Sequence, residues 1–164
     1  MTSYEIIGTI AVIGQDENQE EAIETITSQN KNVETITQRT SEVSGPYRIK
    51  RVRVIWGKNT TKTIHKENNT RLLIDLNEAY FSPRLQTERQ RIIEKVKPNE
   101  VIIDMFSGVG PYAIEIAKNT QAKKIYAIDH NKQAIKYLHE NITSNTITNV
   151  HAIHGNALEE IKTL

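Results

Sequence analysis

The chain has 164 residues, of which 37% are hydrophobic and 25% charged, with a formal net charge of +1 and no cysteine. That length holds one medium domain, or a small domain and part of a second, and the missing thiols exclude disulfides and thiolate metal sites. No run of about 18 apolar residues is present and no charged, apolar, small-residue leader opens the chain, so a soluble, untargeted cytoplasmic protein with no membrane partner is expected.

Taken in order, YEIIGTIAVIG (4–14) reads as a strand, and ENQEEAIETITSQ (17–29) as an amphipathic helix with Ala22, Ile23 and Ile26 on its apolar face. NVETITQ (32–38) alternates as a second strand. After the Gly45-Pro46 break, YRIKRVRVIWG (47–57) alternates again, with Ile49, Val52, Val54 and Trp56 on the face expected to be buried. TKTIHKENNTRLLIDLN (61–77) has the pattern of a hairpin turning at Glu67 to Asn69. Residues 1–80 are therefore expected to form a small mixed α/β domain.

Ser82 and Pro83 signal a helix start, serine as a cap for free amides and proline at the first helical position. Leu85, Ile92, Ile93 and Val96 share one stripe and Pro98 ends the element, which predicts a connecting helix within residues 81–99. From residue 100 the pattern changes. VIIDMFSGVGP (101–111) is an apolar run, an acid and a glycine-spaced turn; KKIYAIDHN (123–131) follows one βα unit later and ends in Asp129, and NVHAIHGNA (149–157) supplies a third strand.

This order is that of a nucleotide-type α/β site. Gly108 and Gly110 allow the backbone between strand and helix to approach a ligand closely. Asp129, at the carboxyl end of the second strand, is placed to accept hydrogen bonds from ribose hydroxyls. A dinucleotide site carries a third glycine, G-x-G-x-x-G, whereas this turn reads GVGPYAI.

Positive charge is unevenly distributed: RIKRVR (48–53) is dense, and Arg84, Arg89 and Arg91 crowd one later segment. Such runs either attract phosphates, with affinity that falls steeply with salt, or keep an edge strand solvated. The five histidines form no H-x-x-x-H pair, so no metal is expected.

DMFSGVGPY resembles motif I of class I S-adenosylmethionine (SAM) methyltransferases. Together with IHKENN, DLNEAYFSPRLQTERQRI and IYAIDHNKQAIKYLHENI, in this order and spacing, it is similar to the tRNA guanosine-37 N1-methyltransferase family, most closely the archaeal type. The related wybutosine-pathway aminocarboxypropyl transferases share the architecture, but tend toward F-S-x-x-N where this chain reads F-S-P-R-L.

The resemblance implies a Rossmann-like class I sheet behind a small α/β domain, SAM as cofactor and tRNA as partner. It assigns Glu88 as the general base that removes the N1 proton of guanine and Arg48 as the cation facing the charge that builds on O6. It places Tyr80 and Arg89 at the edge of the cofactor pocket, Asp104, Phe106, Gly108, Val109 and Gly110 in the motif I loop, and Asp129 and His130 against ribose and adenine. Asn156 and Ala157 fall beside the adenine, with asparagine where family members usually carry aspartate. Taken without the family, Glu88 with Arg91 or Arg84 is also an ordinary helical ion pair. The resemblance further implies seven strands and an N-x-P-type motif, of which this chain carries the first three strands and not the motif. A fragment that binds SAM weakly and transfers poorly, or a noncatalytic RNA-binding piece, is therefore also expected.

Overall fold

The computed structural model describes residues 2–40, 49 and 51–164. The first unit is a four-stranded mixed sheet in the order β1 (Tyr4–Ile7), β2 (Ile10–Ile13), β3 (Thr35–Arg39) and β4 (Val52–Gly57), with helix α1 (Gln19–Gln29) crossing between β2 and β3. That crossover makes β2 and β3 parallel, while β1/β2 and β3/β4 are antiparallel. The apolar run Ile10–Ile13 is buried on both faces. Ala11 and Ile13 pack with Ala22, Ile26 and Ile36 under α1, whereas Ile10 and Val12 join the main core.

Two expectations are corrected here. Tyr4 to Gly14 is a hairpin and not one strand: Gly8, at φ +57°, turns the chain, and a side chain there would meet the backbone of Ile64. The β4 register also shifts opposite Ile36 and Thr37, so that Ile55 packs under α1 while Val54 is only half-buried and Trp56 is exposed. A bulge inserts one residue and moves every later side chain to the other face.

The hairpin of β5 (Lys62–Glu67) and β6 (Thr70–Asp75) turns through Asn68 and Asn69, both left-handed, as the two-residue type with two positive φ values requires. Pro83–Leu85 is a short 3-10 turn that leads into helix α2 (Gln86–Ile93). The helix is shorter than its sequence stripe, and Ser82 makes no side-chain cap.

The second unit is a three-stranded parallel sheet in the order β7 (Val101–Asp104), β8 (Lys124–Asp129), β9 (Val150–His154). Helix α3 (Pro111–Asn119) connects the first pair, α4 (Lys132–Ser144) connects the second, and α5 (Ala157–Glu160) follows β9. Ile125, Ala127 and Ile128 of β8 are fully buried, as expected for a central parallel strand. One apolar cluster runs from Ile7 and Val12 through Leu72 and Ile74 to Ile114, Ile125 and Leu138, so the hairpin joins the two units.

That joint is completed by polar groups. Asn141 on α4 and Asn145, which caps its C-terminus one turn later, present their amides to the edge of β6. Leu73 N–H donates to Asn141 Oδ1 at 2.7 Å and Arg71 N–H to Asn145 Oδ1 at 2.9 Å, while the two Nδ2 groups donate to the Leu73 and Arg71 carbonyls. The side-chain amides do what a neighbouring strand would do for an open edge.

Candidate functional site

The carboxyl ends of β7, β8 and β9 meet at the motif I loop. Asp129 holds that loop: its Oδ2 accepts from Gly108 N–H at 2.7 Å and its Oδ1 from Asn131 N–H at 2.8 Å. Ser107 N–H donates to the Ile128 carbonyl and Gly110 N–H to the Ser107 carbonyl, closing the turn. Gly108 and Gly110 have φ +54° and +91°, and Gly110 precedes Pro111 at the start of α3. Both positive values lie in the region that glycine enters without strain. Val109 is fully buried, its carbonyl held by Asn141 Nδ2 at 2.9 Å.

Asp104 ends β7 beneath this loop. Burial pushes its carboxyl up to about 6, the amides of Phe106 and Ala113 pull it back, and the Asp129 charge raises it further. Its Oδ2 and the Ser107 hydroxyl are buried without a hydrogen-bond partner among the described residues. Two unanswered polar atoms beside an open glycine turn fit a ligand that carries its own donors and acceptors. Phe106 is 80% exposed at the rim, and the Tyr80 carbonyl lies 3.6 Å from the point where a Cβ on Gly108 would stand.

Around the sheet ends, His130 follows Asp129 and is exposed, its carbonyl 3.1 Å from His154 Nε2. Asn156 caps α5 by accepting from Leu158 N–H at 3.0 Å, and Ala157 is buried behind it. The structure thus brings Tyr80, Asp104, Phe106, Gly108, Val109, Gly110, Asp129, His130, Asn156 and Ala157 to one end of the parallel sheet.

On α2 the Glu88 side chain faces outward and that of Arg89 inward. The Glu88 carboxylate is exposed and held by Arg91 through two hydrogen bonds, Nε to Oε2 at 2.8 Å and Nη2 to Oε1 at 2.5 Å; this guanidinium keeps the carboxyl below its usual range. Arg84 pairs instead with Glu5 of β1 at 2.6 Å. Tyr112, whose hydroxyl is raised chiefly by burial, feels the charges of both Glu88 and Asp104, which puts the helix and the motif I loop within electrostatic reach of one ring. Arg89 is 1% exposed, so its guanidinium faces the protein and not an open pocket; it supports the Tyr80–Ser82 segment from below through the Ser82 carbonyl. Arg48 lies outside the described residues.

Sequence reasoning missed Ser107, Asn131, Asn141 and Glu115. For two of these the signal was present: Glu115 interrupts the apolar run AIEIA, and Asn141 falls on the stripe of Ala134 and Leu138. Among the described residues no group of three or more His, Asp or Glu could hold a metal ion, and no helix is long and apolar enough to cross a membrane.

A parallel sheet, a glycine turn at its first strand-to-helix crossing and an acid at the end of the next strand define an α/β domain of the class I methyltransferase type. The chain belongs to the TRM5/TYW2 methyltransferase family: residues 63–163 match the TRM5/TYW2 methyltransferase domain, and residues 1–60 match the TYW2 N-terminal domain. It is similar to the tRNA (guanine(37)-N(1))-methyltransferase Trm5b of Pyrococcus abyssi, at 43% identity over 98% of this chain and 50% of that protein. It is also similar to the tRNA(Phe) (4-demethylwyosine(37)-C(7)) aminocarboxypropyltransferase of Methanocaldococcus jannaschii, at 33% identity over 90% of this chain and 58% of that one. The structure of aTrm5 with tRNALeu superposes with a TM-score of 0.84 at 39% identity, covering 94% of this chain and 47% of that one. The chain thus spans about half the length of these relatives.

Proposed function

We propose that this chain forms the methyl-donor half-site and carries the general base of a SAM-dependent tRNA methyltransferase acting on N1 of guanosine 37. The observation that carries the proposal is the likeness to the Pyrococcus abyssi enzyme over 98% of the chain. The residues present suit the cofactor: Asp129 for the ribose, the Gly108 to Gly110 turn for close backbone approach, and Asp104 with Ser107 as unanswered polar atoms. His130, Asn156 and Ala157 would flank the adenine, with Tyr80 and Phe106 at the rim. When bound, SAM supplies an electrophilic methyl group.

The protein's part is to take the guanine proton. Glu88 is ionised in the pair with Arg91, which is the state a base needs, and the pair is exposed, so an incoming guanine can displace Arg91. Arg48 would then face the charge on O6. A positioned base is worth about 10² to 10⁴ in rate and a preorganised cation about 10² to 10³.

The test is methyl incorporation into tRNA carrying guanosine or adenosine at position 37. Methylation of the guanosine form alone, reduced about 10² to 10⁴-fold by Glu88→Gln, is expected; equal incorporation into both would sink the proposal. A second reading rests on the TYW2 N-terminal match over residues 1–60: transfer of an aminocarboxypropyl group, distinguished by the larger mass added to the nucleoside.

A further inference from the structure

A second cluster of charged side chains is buried where the β5–β6 hairpin, α2 and α3 meet. Arg89 Nη2 is 2.5 Å from Glu67 Oε1 and its Nε is 3.1 Å from Glu115 Oε1, with all three side chains at most 1% exposed. Both terminal nitrogens of Arg89 donate to the Ser82 carbonyl at 3.3 Å. The guanidinium lies 5.2 Å from the Phe81 ring and 6.0 Å from that of Tyr112.

The outer ends of the cluster are anchored as well. Asn68 Nδ2 donates to Glu115 Oε2 at 2.5 Å, and Asn119 Nδ2 donates to the Asn68 carbonyl. Gly8 N–H donates to His65 Nδ1 at 3.1 Å, which puts the imidazole proton on Nε2, 3.0 Å from Glu67 Oε2. Two buried carboxylates against one cation would be costly if both were ionised. Glu115 is pushed up to about 8, by burial first and by Glu67 next, whereas for Glu67 the upward push of burial is outweighed by its hydrogen bonds to His65 and Glu115 and by the Arg89 charge, which hold it below its usual range. At neutral pH the cluster therefore holds one cation, one carboxylate and one carboxylic acid.

Its importance to α2 follows from what else holds that helix. Arg89 and Ile93 are its only buried residues, and its start has no side-chain cap. An eight-residue helix of that kind does not stand alone in water. The guanidinium reaches hairpin, α3 and Ser82 at once through its fixed fork of donors, which a lysine cannot do.

We propose that Arg89 is a positioning residue: clamped between Glu67 and Glu115, it fixes the first turn of α2 against the methyl-donor unit and so sets where the adjacent Glu88 stands. This rests on Glu88 being the base. Arg89 acts through the backbone of α2 and the Ser82 carbonyl it holds.

The test compares Arg89→Gln, Arg89→Lys and Glu67→Gln with wild type in three measurements: calorimetric SAM affinity, single-turnover methyl transfer to guanosine-37 tRNA, and amide hydrogen exchange. Expected are SAM affinities within about threefold of wild type, transfer slowed about 100-fold, as a displacement of about 1 Å can do, and faster exchange in 82–90 with 101–129 unchanged. Glu115→Gln, which keeps a neutral hydrogen-bonding group where the acid is protonated, leaves exchange in 82–90 as in wild type. Loss of SAM affinity in parallel with rate would make Arg89 a cofactor contact and overturn the proposal; so would unchanged exchange in 82–90. If Arg89→Gln does not fold, Glu67→Gln must show the same split. Wild type that transfers to tRNA a group heavier than methyl would defeat the functional reading alone, and the exchange data would still decide the clamp.

Discussion

Adding one methyl group to each motif I glycine separates what the turn does for the fold from what it does for a ligand. At Gly110, φ is +91°, and a Cβ would overlap Leu138 Cδ1 and stand 3.1 Å from Ile114 Cγ1, both in fully buried side chains. A left-handed backbone costs an L-residue about 1–2 kcal/mol, and overpacking a core adds about 1–3 kcal/mol. Gly110→Ala is therefore expected to lose about 2–5 kcal/mol, or about 4–20 °C in Tm for a domain of this size. At Gly108, φ is +54° and the nearest atom to a new Cβ is the Tyr80 carbonyl at 3.6 Å, an ordinary contact. Only the backbone strain applies, about 1–2 kcal/mol and about 2–8 °C. That Cβ would, however, project into the gap between Tyr80 and the loop, where the cofactor is proposed to lie. Thermal melts with calorimetric SAM titration of both variants read the two effects separately. Gly110→Ala should be the less stable, and Gly108→Ala should lose more SAM affinity than its melt accounts for. A Gly110→Ala protein as stable as Gly108→Ala would refute the packing argument.

Asp129→Ala removes the acceptor of the Gly108 and Asn131 amides, so SAM affinity should fall at least about tenfold, since hydrogen bonds to charged groups are worth about 1.5–3 kcal/mol; an unchanged titration would count against Asp129 as the ribose acid. Asn141→Ala strands the Leu73 N–H and the Leu73 and Val109 carbonyls, and at about 1–3 kcal/mol for each unanswered buried group it should cost at least about 3 kcal/mol in urea unfolding. A loss below about 1 kcal/mol would mean that water replaces the amide. Glu115, raised from 4.5 to about 8, binds a proton more tightly in the folded than in the unfolded chain, so its contribution to stability is complete below 4.5 and declines as pH rises toward about 8. Asp104 acts in the same direction between 3.8 and about 6, whereas Glu67, lowered by its partners, loses its contribution as pH falls. Tm measured from about pH 6 to pH 8 should slope downward in wild type and flatten in Glu115→Gln, and identical slopes would show that Glu115 is not the titrating group.

The motif I loop was legible because its information is local. An apolar run, an acid and two glycines a few residues apart specify a strand, a turn with positive φ and a helix start wherever they stand in a chain. The same holds for the two-asparagine hairpin turn and for the apolar face of α1. Trp56 shows where this fails: alternation placed it with Val52 and Val54, but a bulge opposite Ile36 reversed the faces, and the bulge depends on the neighbouring strand.

The sequence by itself determined the strand, turn and helix order across residues 101–131, the glycine turn with Asp129 behind it and the family to which the chain belongs, because each is written in residues close together. Only the tertiary structure decided that Arg89 points inward while Glu88 faces solvent, that Glu115 is a buried acid and that Asn141 and Asn145 finish the edge of β6. Those outcomes turn on partners 22 to 74 residues away, from Glu67 with Arg89 to Arg71 with Asn145. Whether a charged or amide side chain can be buried is set by which opposite charges and backbone groups the fold brings within about 3 Å of it.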